Sequence, residues 1–301
     1  MAGSGERFVD VGGAITLCYE TFGDPADPPV LLVMGLGMQM IAWHDDLCAD
    51  LAARGFHVVR FDNRDAGRST AVEGRPPGLR QLATRRFPEV QYTLEDMAGD
   101  AAGLLRELDL APAHVVGASL GGMIAQSLAA RHPGSVRTLT SIMSTTGNRF
   151  KGQPALGMYR LLLAQAPKER EAFIGHVARI FAAIGSPGFP TDEGEVRERA
   201  ARSFDRGTNP AGTGRQLGAI LKSGDRTREL HRISAPALVV HGSADRLVAP
   251  SGGRATAAAI PGAELMMIEG MGHDLPRAVW PRILGAIAER ARRSDGMLRA
   301  A

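Results

Sequence analysis

Short runs of apolar residues alternate with amphipathic stretches along most of this chain. The apolar runs are typical of strands buried on both faces of a parallel sheet, and the stretches between them have the apolar spacing of helices. This alternation predicts βαβ units with right-handed crossovers. After a hairpin that turns at Gly12-Gly13, the predicted strands cover residues 30–34, 57–61, 114–117, 136–142, 236–240 and 263–268.

The alternation stops at about residue 144 and resumes at about residue 233. Between these points no strand pattern occurs, whereas helical periodicity is visible at 155–163, 168–184 and 193–204. We therefore predict an all-helical insertion between two parts of one α/β core. The predicted division is a core over residues 1–143, a helical lid over 144–232 and the second part of the core over 233–301.

A Gly-x-Ser-x-Gly sequence follows one of the predicted strands and precedes a predicted helix. It reads Gly117-Ala118-Ser119-Leu120-Gly121-Gly122. In this context the pattern is typical of a nucleophile elbow, in which a serine sits on a tight strand-to-helix turn. Glycines flank such a turn because a Cβ atom there would collide with the neighbouring backbone. Ser119 is therefore the predicted nucleophile, and we expect it to have a positive φ.

A serine hydroxyl needs an adjacent base to become a nucleophile, and the base needs an acid that orients it. In a sheet of this kind the acid and then the base follow the serine along the chain, each in a loop after a strand. Asp245 follows the strand that ends at Val240, and His273 follows the strand that ends at Ile268. We predict Asp245 as the acid and His273 as the base.

Other acidic residues and histidines have less suitable positions. Asp225 lies at the end of the helical insertion, before any strand, and Asp274 adjoins the base without a strand of its own. We interpret His241 as a structural residue at a strand end and His114 as a strand-edge residue. His44 is assigned to a helix, from which its side chain could reach the pocket.

Attack on a carbonyl also requires hydrogen-bond donors for the oxyanion that develops in the transition state. One donor is expected to be the backbone N–H of Leu120, directly after the serine. The other is expected to be that of Leu36, in the Gly35-Leu36-Gly37 loop that follows the first parallel strand. Since both donors are backbone groups, the glycines around Leu36 matter more than its side chain.

Composition limits the partners of this protein. The 301 residues are 44% hydrophobic and 22% charged, with a net charge of +3, as in an ordinary globular protein. The basic residues are scattered and are not interleaved with aromatic residues, so we expect no nucleic-acid partner. The chain shows no secretory signal and no apolar run of the ~18 residues that a membrane span needs, which favours a cytoplasmic protein.

Redox and metal chemistry find no support in the sequence. Cys18 and Cys48 are predicted to pack in the core. Neither a Cys/His ligand spacing nor a phosphate-binding glycine loop with a lysine occurs. We therefore expect neither a metal nor a cofactor.

The motifs resemble those of the α/β-hydrolase superfamily. The resemblance rests on the Gly117 to Gly122 segment, the His-Gly-x-x-Asp pattern at 241–245 and the Gly-His pair at 272–273, and it covers nearly all of the chain outside the insertion. It implies a mostly parallel central sheet flanked by helices, with the insertion as the variable lid. The turn from Asp62 to Ser69 is similar to the superfamily's Asp-x-Arg-Gly-x-Gly-x-Ser. Asp65 stands there where glycine is usual, in a position to which the resemblance gives a structural role.

A closer resemblance is to the aclacinomycin methylesterases. It is carried by residues 23–28, 31–35, 64–70 and 270–273. Met34-Gly35 stands where much of the superfamily has His-Gly, and this feature is shared with the subgroup. The resemblance implies an ester hydrolase but leaves the substrate open, because the lid shapes the pocket.

We predict a cofactor-independent carboxylic ester hydrolase that forms an acyl-enzyme on Ser119 and acts on a small, mostly hydrophobic ester. Cofactor-free haloperoxidases (perhydrolases), lactonases and carbon–carbon bond hydrolases use the same three residues and are the alternatives. Epoxide hydrolases and haloalkane dehalogenases use an aspartate nucleophile, so Ser119 argues against them. A ligand receptor built on the hydrolase fold is a rival of another class, because it would bind without repeated turnover.

Overall fold

The computed structural model describes residues 3–162, 164 and 166–300. Within these residues eight strands form one sheet. The strands are β1 (Arg7–Asp10), β2 (Thr16–Phe22), β3 (Pro29–Val33), β4 (His57–Phe61), β5 (Ala113–Ala118), β6 (Val136–Ile142), β7 (Ala237–Gly242) and β8 (Glu264–Ile268).

The sheet has the order β1-β2-β4-β3-β5-β6-β7-β8. β1 and β2 form the predicted hairpin, and β2 also pairs antiparallel with β4. All pairs from β4 to β8 are parallel. β5, which leads into Ser119, lies near the middle and is buried at all of its positions. The predicted fold class is thus confirmed.

Eleven helices lie within the described residues. They are α1 (Asp45–Ala53), α2 (Leu79–Thr84), α3 (Leu94–Glu107), α4 (Leu120–Arg131), α5 (Leu156–Leu162), α6 (Arg170–Ile184), α7 (Glu193–Arg206), α8 (Pro210–Ser223), α9 (Thr227–Leu230), α10 (Pro250–Ala259) and α11 (Trp280–Ala300).

The sheet buries a different set of side chains on each face, since successive residues of a strand point to opposite sides. Leu31 and Val33 of β3 belong to the core shared with α3 and α4. Val30 and Leu32 belong to the core shared with α1 and α11. Burial on both faces explains why the parallel strands read as continuous apolar runs.

Helices α5 to α9 lie between β6 and β7, where the sequence predicts an all-helical insertion. Three of the five agree with the helical periodicity, although the predicted end of the first, Leu163, lies outside the described residues. Helices α6 and α7 of the insertion pack through Phe173 and Phe204, whose ring centroids are 5.4 Å apart.

Helices α2, α8 and α9 are not predicted by the sequence pattern. Helix α8 has a helix-start signal, because Oδ1 of Asn209 accepts from the N–H of Gly212 (2.9 Å) and Pro210 follows. The glycines of α8 weaken the helical pattern in the sequence, since glycine has a low helix propensity. They are explained by packing: a Cβ at Gly212 would lie 2.3 Å from the carbonyl oxygen of Asp65.

Two helix boundaries differ from those that the sequence pattern predicts. The spacing of Ile41, Leu47, Leu51 and Ala52 predicts a helix over 41–54, but α1 begins only at Asp45, after a 3-10 turn at Met40–Ala42. The pattern at the end of the chain predicts a last helix over about 279–292, whereas α11 continues to Ala300.

Candidate active site

Ser119 occupies the turn between β5 and α4, and it has the expected positive φ. The backbone angles are φ 55° and ψ −118°, a region that non-glycine residues rarely adopt. A Cβ at Gly117 would lie 2.1 Å from the carbonyl oxygen of Gly121, and a Cβ at Gly121 would lie 2.0 Å from that of Val33. Helix α4 therefore approaches β5 and the neighbouring strand β3 so closely that no side chain fits at either glycine.

Hydrogen bonds within the core hold this strained backbone. The N–H of Ser119 donates to the carbonyl oxygen of Ile142 at the end of β6 (2.9 Å). The hydroxyl of Ser144 donates to the carbonyl oxygen of Ser119 (2.9 Å). A non-glycine residue at positive φ costs about 1–3 kcal/mol. These bonds help to offset that cost.

The predicted serine, histidine and aspartate lie in a row. Oγ of Ser119 is 3.0 Å from Nε2 of His273, and Nδ1 of His273 is 2.7 Å from Oδ2 of Asp245. Asp245 follows β7 and His273 follows β8. The carboxyl ends of parallel strands share one edge of the sheet, so these loops meet the turn after β5. An imidazole between a hydroxyl and a carboxylate can take the hydroxyl proton.

The buried carboxyl group of Asp245 is held in its charged form. Burial raises its pKa, but the His273 ring and hydrogen bonds, including one from His241, outweigh burial and lower the pKa to about 2. The N–H groups of Leu247 and Val248 donate to Oδ1 at 2.9 and 2.8 Å. Asp245 is therefore a carboxylate at neutral pH and favours a proton on Nδ1 of His273.

The two weaker acid candidates have other partners. The carboxylate of Asp274 accepts hydrogen bonds from the hydroxyls of Ser186 and Thr191, both of which lie between α6 and α7. Asp225 accepts from the N–H of Thr227 (3.0 Å) at the far end of the insertion. Neither carboxylate is hydrogen-bonded to the ring of His273.

The loop that carries His273 is fastened to the end of α6. The N–H of His273 donates to the carbonyl oxygen of Ile184 (2.8 Å), and the N–H of Gly272 donates to Oγ of Ser186 (2.8 Å). A Cβ at Gly272 would lie 2.4 Å from the carbonyl oxygen of Gly185. The insertion thus holds the backbone of the predicted base.

The loop after β3 lies against Ser119. A Cβ at Gly35 would be 3.3 Å from Cβ of Ser119 and 3.8 Å from its Oγ. Within residues 3–162, 164 and 166–300, the backbone N–H groups of Leu36 and Leu120 donate no hydrogen bond. Leu120 is also the first residue of α4, where the helix dipole favours a negative charge.

Two aspartates of the predicted polar turn form ion pairs with the insertion. Asp62 is fully buried, accepts from the N–H of Met40 (2.6 Å) and pairs with Arg206 of α7 (2.8 Å). Asp65, at φ 68°, pairs with Arg215 of α8 (2.6 Å). These contacts join the core, the loop after β3 and the insertion.

The three other histidines discussed above lie outside the row formed by Ser119, His273 and Asp245. His114 is not a strand-edge residue: β5 is flanked by β3 and β6, and His114 is buried with Nδ1 2.9 Å from Oγ1 of Thr138. His241 is buried at the end of β7, with Nε2 2.9 Å from the carbonyl oxygen of Val248. His44 precedes α1, and its ring packs against that of Trp280.

Cysteine chemistry has no part in this site. Cys18 and Cys48 are buried and free, and burial raises the pKa of each thiol to about 12. In the described ranges no group of three or more His, Cys, Asp and Glu side chains is arranged to hold a metal ion. Nor does the described part of the chain contain a helix of the length and apolarity that crossing a bilayer requires.

Sequence reasoning missed the side chains of the insertion that contact these loops. Ser186 bonds to the loop of the base, and Gln216 of α8 bonds to the loop after β3. No motif marks either residue. The only local signal for α8 was its Asn209-Pro210 start.

Comparison with known proteins identifies the family. A family model described as "alpha/beta hydrolase fold" matches residues 28–276 of the chain. The chain belongs to the α/β-hydrolase family. The match extends across the insertion and over both loops that follow β7 and β8.

Two relatives of this α/β-hydrolase are rhodomycin D methylesterases of Streptomyces. DnrP of Streptomyces peucetius is 30% identical over 299 residues, covering 92% of this chain and 95% of its own. DauP of Streptomyces sp. (strain C5) is 31% identical over 302 residues, with the same coverage. Their names bear out the predicted class of enzyme, a carboxylic ester hydrolase.

A solved structure of similar fold is the enol-lactonase from Burkholderia xenovorans LB400. It superimposes with a TM-score of 0.72 at 24% sequence identity, covering 94% of this chain and 99% of that one. At this identity the likeness concerns the fold alone.

Proposed function

We propose that this α/β-hydrolase cleaves carboxylic esters through an acyl-enzyme on Ser119, with His273 as the general base and Asp245 as the acid that orients it. One observation carries the proposal: the two hydrogen-bond distances of 3.0 Å and 2.7 Å that join the three side chains in a row. The methylesterase relatives support the choice of ester as the bond that is cleaved.

In the first half of the reaction, Oγ of Ser119 attacks the carbonyl carbon of the ester and its proton passes to Nε2 of His273. The oxygen of the tetrahedral intermediate accepts hydrogen bonds from the N–H groups of Leu36 and Leu120. The carbon–oxygen bond to the alcohol then breaks. His273 gives its proton to the leaving alcohol, and the acyl group stays on Ser119.

In the second half, a water molecule attacks the acyl carbon and gives a proton to His273. Collapse of the second tetrahedral intermediate breaks the bond to Oγ, and the proton on His273 returns to Ser119. The carboxylic acid leaves. Asp245 is charged throughout, because its lowered pKa of about 2 lies far below neutral pH. It therefore stabilises the imidazolium without taking the proton itself.

We assign residues 144–232 to a lid over this site. Support comes from the carbonyl oxygen of Ile184 and the hydroxyl of Ser186, which both bond to the loop of His273. Two half-buried apolar side chains lie in the segments that adjoin this site along the chain: Met38 in the loop after β3 and Phe189 between α6 and α7, both packed against the core shared with α1 and α11. Their apolar character favours a mostly hydrophobic small-molecule ester, and by analogy with the relatives a methyl ester.

The test is a set of single substitutions assayed on p-nitrophenyl acetate and on a panel of methyl esters. Ser119→Ala should stay folded and lose activity by about 10⁶-fold in kcat, the order observed when such a serine is removed. A fluorophosphonate should label the wild type at Ser119 and leave this variant unlabelled. Hydrolysis by Ser119→Ala at the wild-type rate would refute the proposal.

Ser127→Ala provides the matched control. Ser127 lies on α4, the helix that follows Ser119, is buried, and its hydroxyl donates to the carboxylate of Glu229 rather than to a residue of the predicted site. Its removal should leave both hydrolysis and fluorophosphonate labelling at the wild-type level.

Three further assays of the wild-type protein discriminate the alternatives. Faster turnover of lactones than of open-chain esters would point to a lactonase, and bromination with peroxide and acetate would point to a perhydrolase. A receptor would show a single slow cycle with stoichiometric labelling and no repeated turnover.

A further inference from the structure

Gln216 lies on α8 in the insertion and contacts the loop that follows β3. It is fully buried. Its Oε1 accepts a hydrogen bond from the N–H of Gly37 (2.8 Å), and its Nε2 donates to the carbonyl oxygen of Arg64 (2.8 Å). Both ends of the side-chain amide are therefore used, one on this loop and the other on the turn that follows β4.

The loop has three successive N–H groups that could face a substrate, and two of them are occupied. The N–H of Met38 donates to the carbonyl oxygen of Gly35 (3.1 Å), which closes a turn. The N–H of Gly37 donates to Gln216. Of the three, only that of Leu36 donates to nothing within the described residues. Gln216 thus takes part in deciding which amide is left for the oxyanion.

Helix α8 supports this loop at two points one turn apart. Gly37 has φ 64°, and a Cβ on it would lie 2.6 Å from Oγ1 of Thr213. Thr213 therefore lies directly against Gly37, while Gln216 holds its N–H. Residues three apart lie on one face of a helix, so a single face of α8 fixes both the position and the orientation of the peptide after Leu36.

We propose that Gln216 is a positioning residue for the oxyanion hole, so that the lid contributes to transition-state stabilisation as well as to substrate access. This inference rests on the proposed function of Ser119 and Leu36. If the amide of Gln216 is removed, the N–H of Gly37 loses its acceptor and the turn is free to rotate. The donor at Leu36 then no longer points at the place where charge develops.

Gln216→Met keeps the length of the side chain and removes both hydrogen bonds. We expect kcat to fall by about tenfold to hundredfold, less than the ~10²–10³-fold that loss of a whole oxyanion donor costs. KM should change by less than about threefold, because the interaction is made in the transition state and not with bound substrate. Affinity for a trifluoromethyl ketone, whose adduct carries the oxyanion, should fall by the same factor as kcat/KM.

Gln91→Met is the matched control. Gln91 is also buried, and its Nε2 donates to the carbonyl oxygen of Arg215 on the same helix (2.9 Å), but it does not bond to the loop after β3. This variant should lose stability to a similar extent, as measured by thermal melting, and keep kcat and trifluoromethyl ketone affinity at the wild-type level. If Gln91→Met loses kcat and trifluoromethyl ketone affinity as much as Gln216→Met does, a loss of helix stability explains the effect and the inference is wrong.

Gln216→Asn is the second variant, for use if Gln216→Met does not fold. It keeps a polar amide but is one methylene too short to reach Gly37, so the same loss is expected. Wild-type kcat in a folded variant of either kind would overturn the inference. Absence of hydrolysis by the wild-type protein would instead refute the proposed function, so the two failures are distinguishable.

Discussion

The turn that carries Ser119 and the loop that carries His273 are held in different ways. The serine turn is fixed within the core, by the close approach of Gly117 and Gly121 and by the hydrogen bond to Ile142. The histidine loop is fixed by the insertion, through the carbonyl oxygen of Ile184 and the hydroxyl of Ser186.

This difference separates the candidate site into a part that the sheet holds and a part that the insertion holds. Ser119 keeps its place as long as β5 and α4 pack together. His273 and the loop after β3 also depend on contacts with α6, Ser186 and α8. Substitutions in the core should therefore act on folding or on the proposed chemistry itself, whereas substitutions in the insertion should act on the alignment of groups that are already present.

Gly121→Ala should have the largest effect, because it introduces a steric clash directly after the turn that carries Ser119. The new Cβ would lie 2.0 Å from the carbonyl oxygen of Val33, which is backbone and cannot move aside. We expect a loss of more than about 4 kcal/mol in the free energy of unfolding, at the upper end for single substitutions. Soluble yield and urea denaturation measure it.

Gly99→Ala is the control for this prediction. Gly99 lies within α3, and a Cβ on it would meet nothing within 4 Å. The variant should gain about 0.5–1 kcal/mol from its higher helix propensity. Similar stability of the two alanine variants would show that the serine turn is not fixed by close packing.

Asp245→Asn changes the charge of the candidate site and leaves the contacts with the insertion in place. The amide cannot hold the proton on Nδ1 of His273, so kcat should fall by about 10⁴-fold with the fold retained. Steady-state kinetics and circular dichroism measure the two quantities. A loss of less than tenfold in a folded variant would mean that Asp245 does not orient the base.

Ser186→Ala changes only contacts made by the insertion and should have a smaller effect on activity. Gly272 N–H and the Asp274 carboxylate each lose a partner, which should cost about 1–3 kcal/mol of stability. Displacement of the loop should lower kcat about tenfold, within the ~10²-fold that a shift of 1 Å can cost. Melting curves and kinetics measure both.

Thr191→Val is the matched control. It removes the other hydroxyl that donates to the carboxylate of Asp274 (2.9 Å) but leaves the hydrogen bond between Ser186 and Gly272. A loss of activity equal to that of Ser186→Ala would contradict a specific role of the Gly272 bond.

The smallest effect is a pH dependence of stability that originates in Asp245. Its pKa is lowered from 3.8 to about 2 in the folded protein. A lowered pKa means that the charged form is favoured by folding, so this contribution is complete above 3.8 and disappears as the pH falls towards about 2. Urea denaturation of the wild type and Asp245→Asn should give a stability difference that shrinks over this range. A constant difference would contradict the lowered pKa.

Sequence analysis predicted the strands, the fold class and the three residues of the row, because each has a local cause. A strand buried on both faces needs an apolar run, and a closely packed turn needs glycine at Gly117 and Gly121. The order of Ser119, Asp245 and His273 follows from the order of strands in the sheet. The catalytic roles of these residues, of Leu36 and of Leu120 are predictions that the substitutions above test.

Other features were outside the reach of local patterns. Helix α8 was missed because its glycines, such as Gly212, serve packing against Asp65 and lower the helix propensity. His114 was taken for a strand-edge residue, since a sequence does not tell which strands flank β5. Ser186 and Gln216 carry no motif.

The sequence by itself therefore predicted the turn of Ser119, since the glycines that its close packing requires stand within one short segment around the serine. Only the tertiary structure decided what holds His273 and Leu36. The hydrogen bond between Gln216 and Gly37 joins residues 179 positions apart, and the bond between Gly272 and Ser186 joins residues 86 apart. Such contacts depend on how the insertion packs over the sheet, and neither partner has a pattern around it that reflects the other.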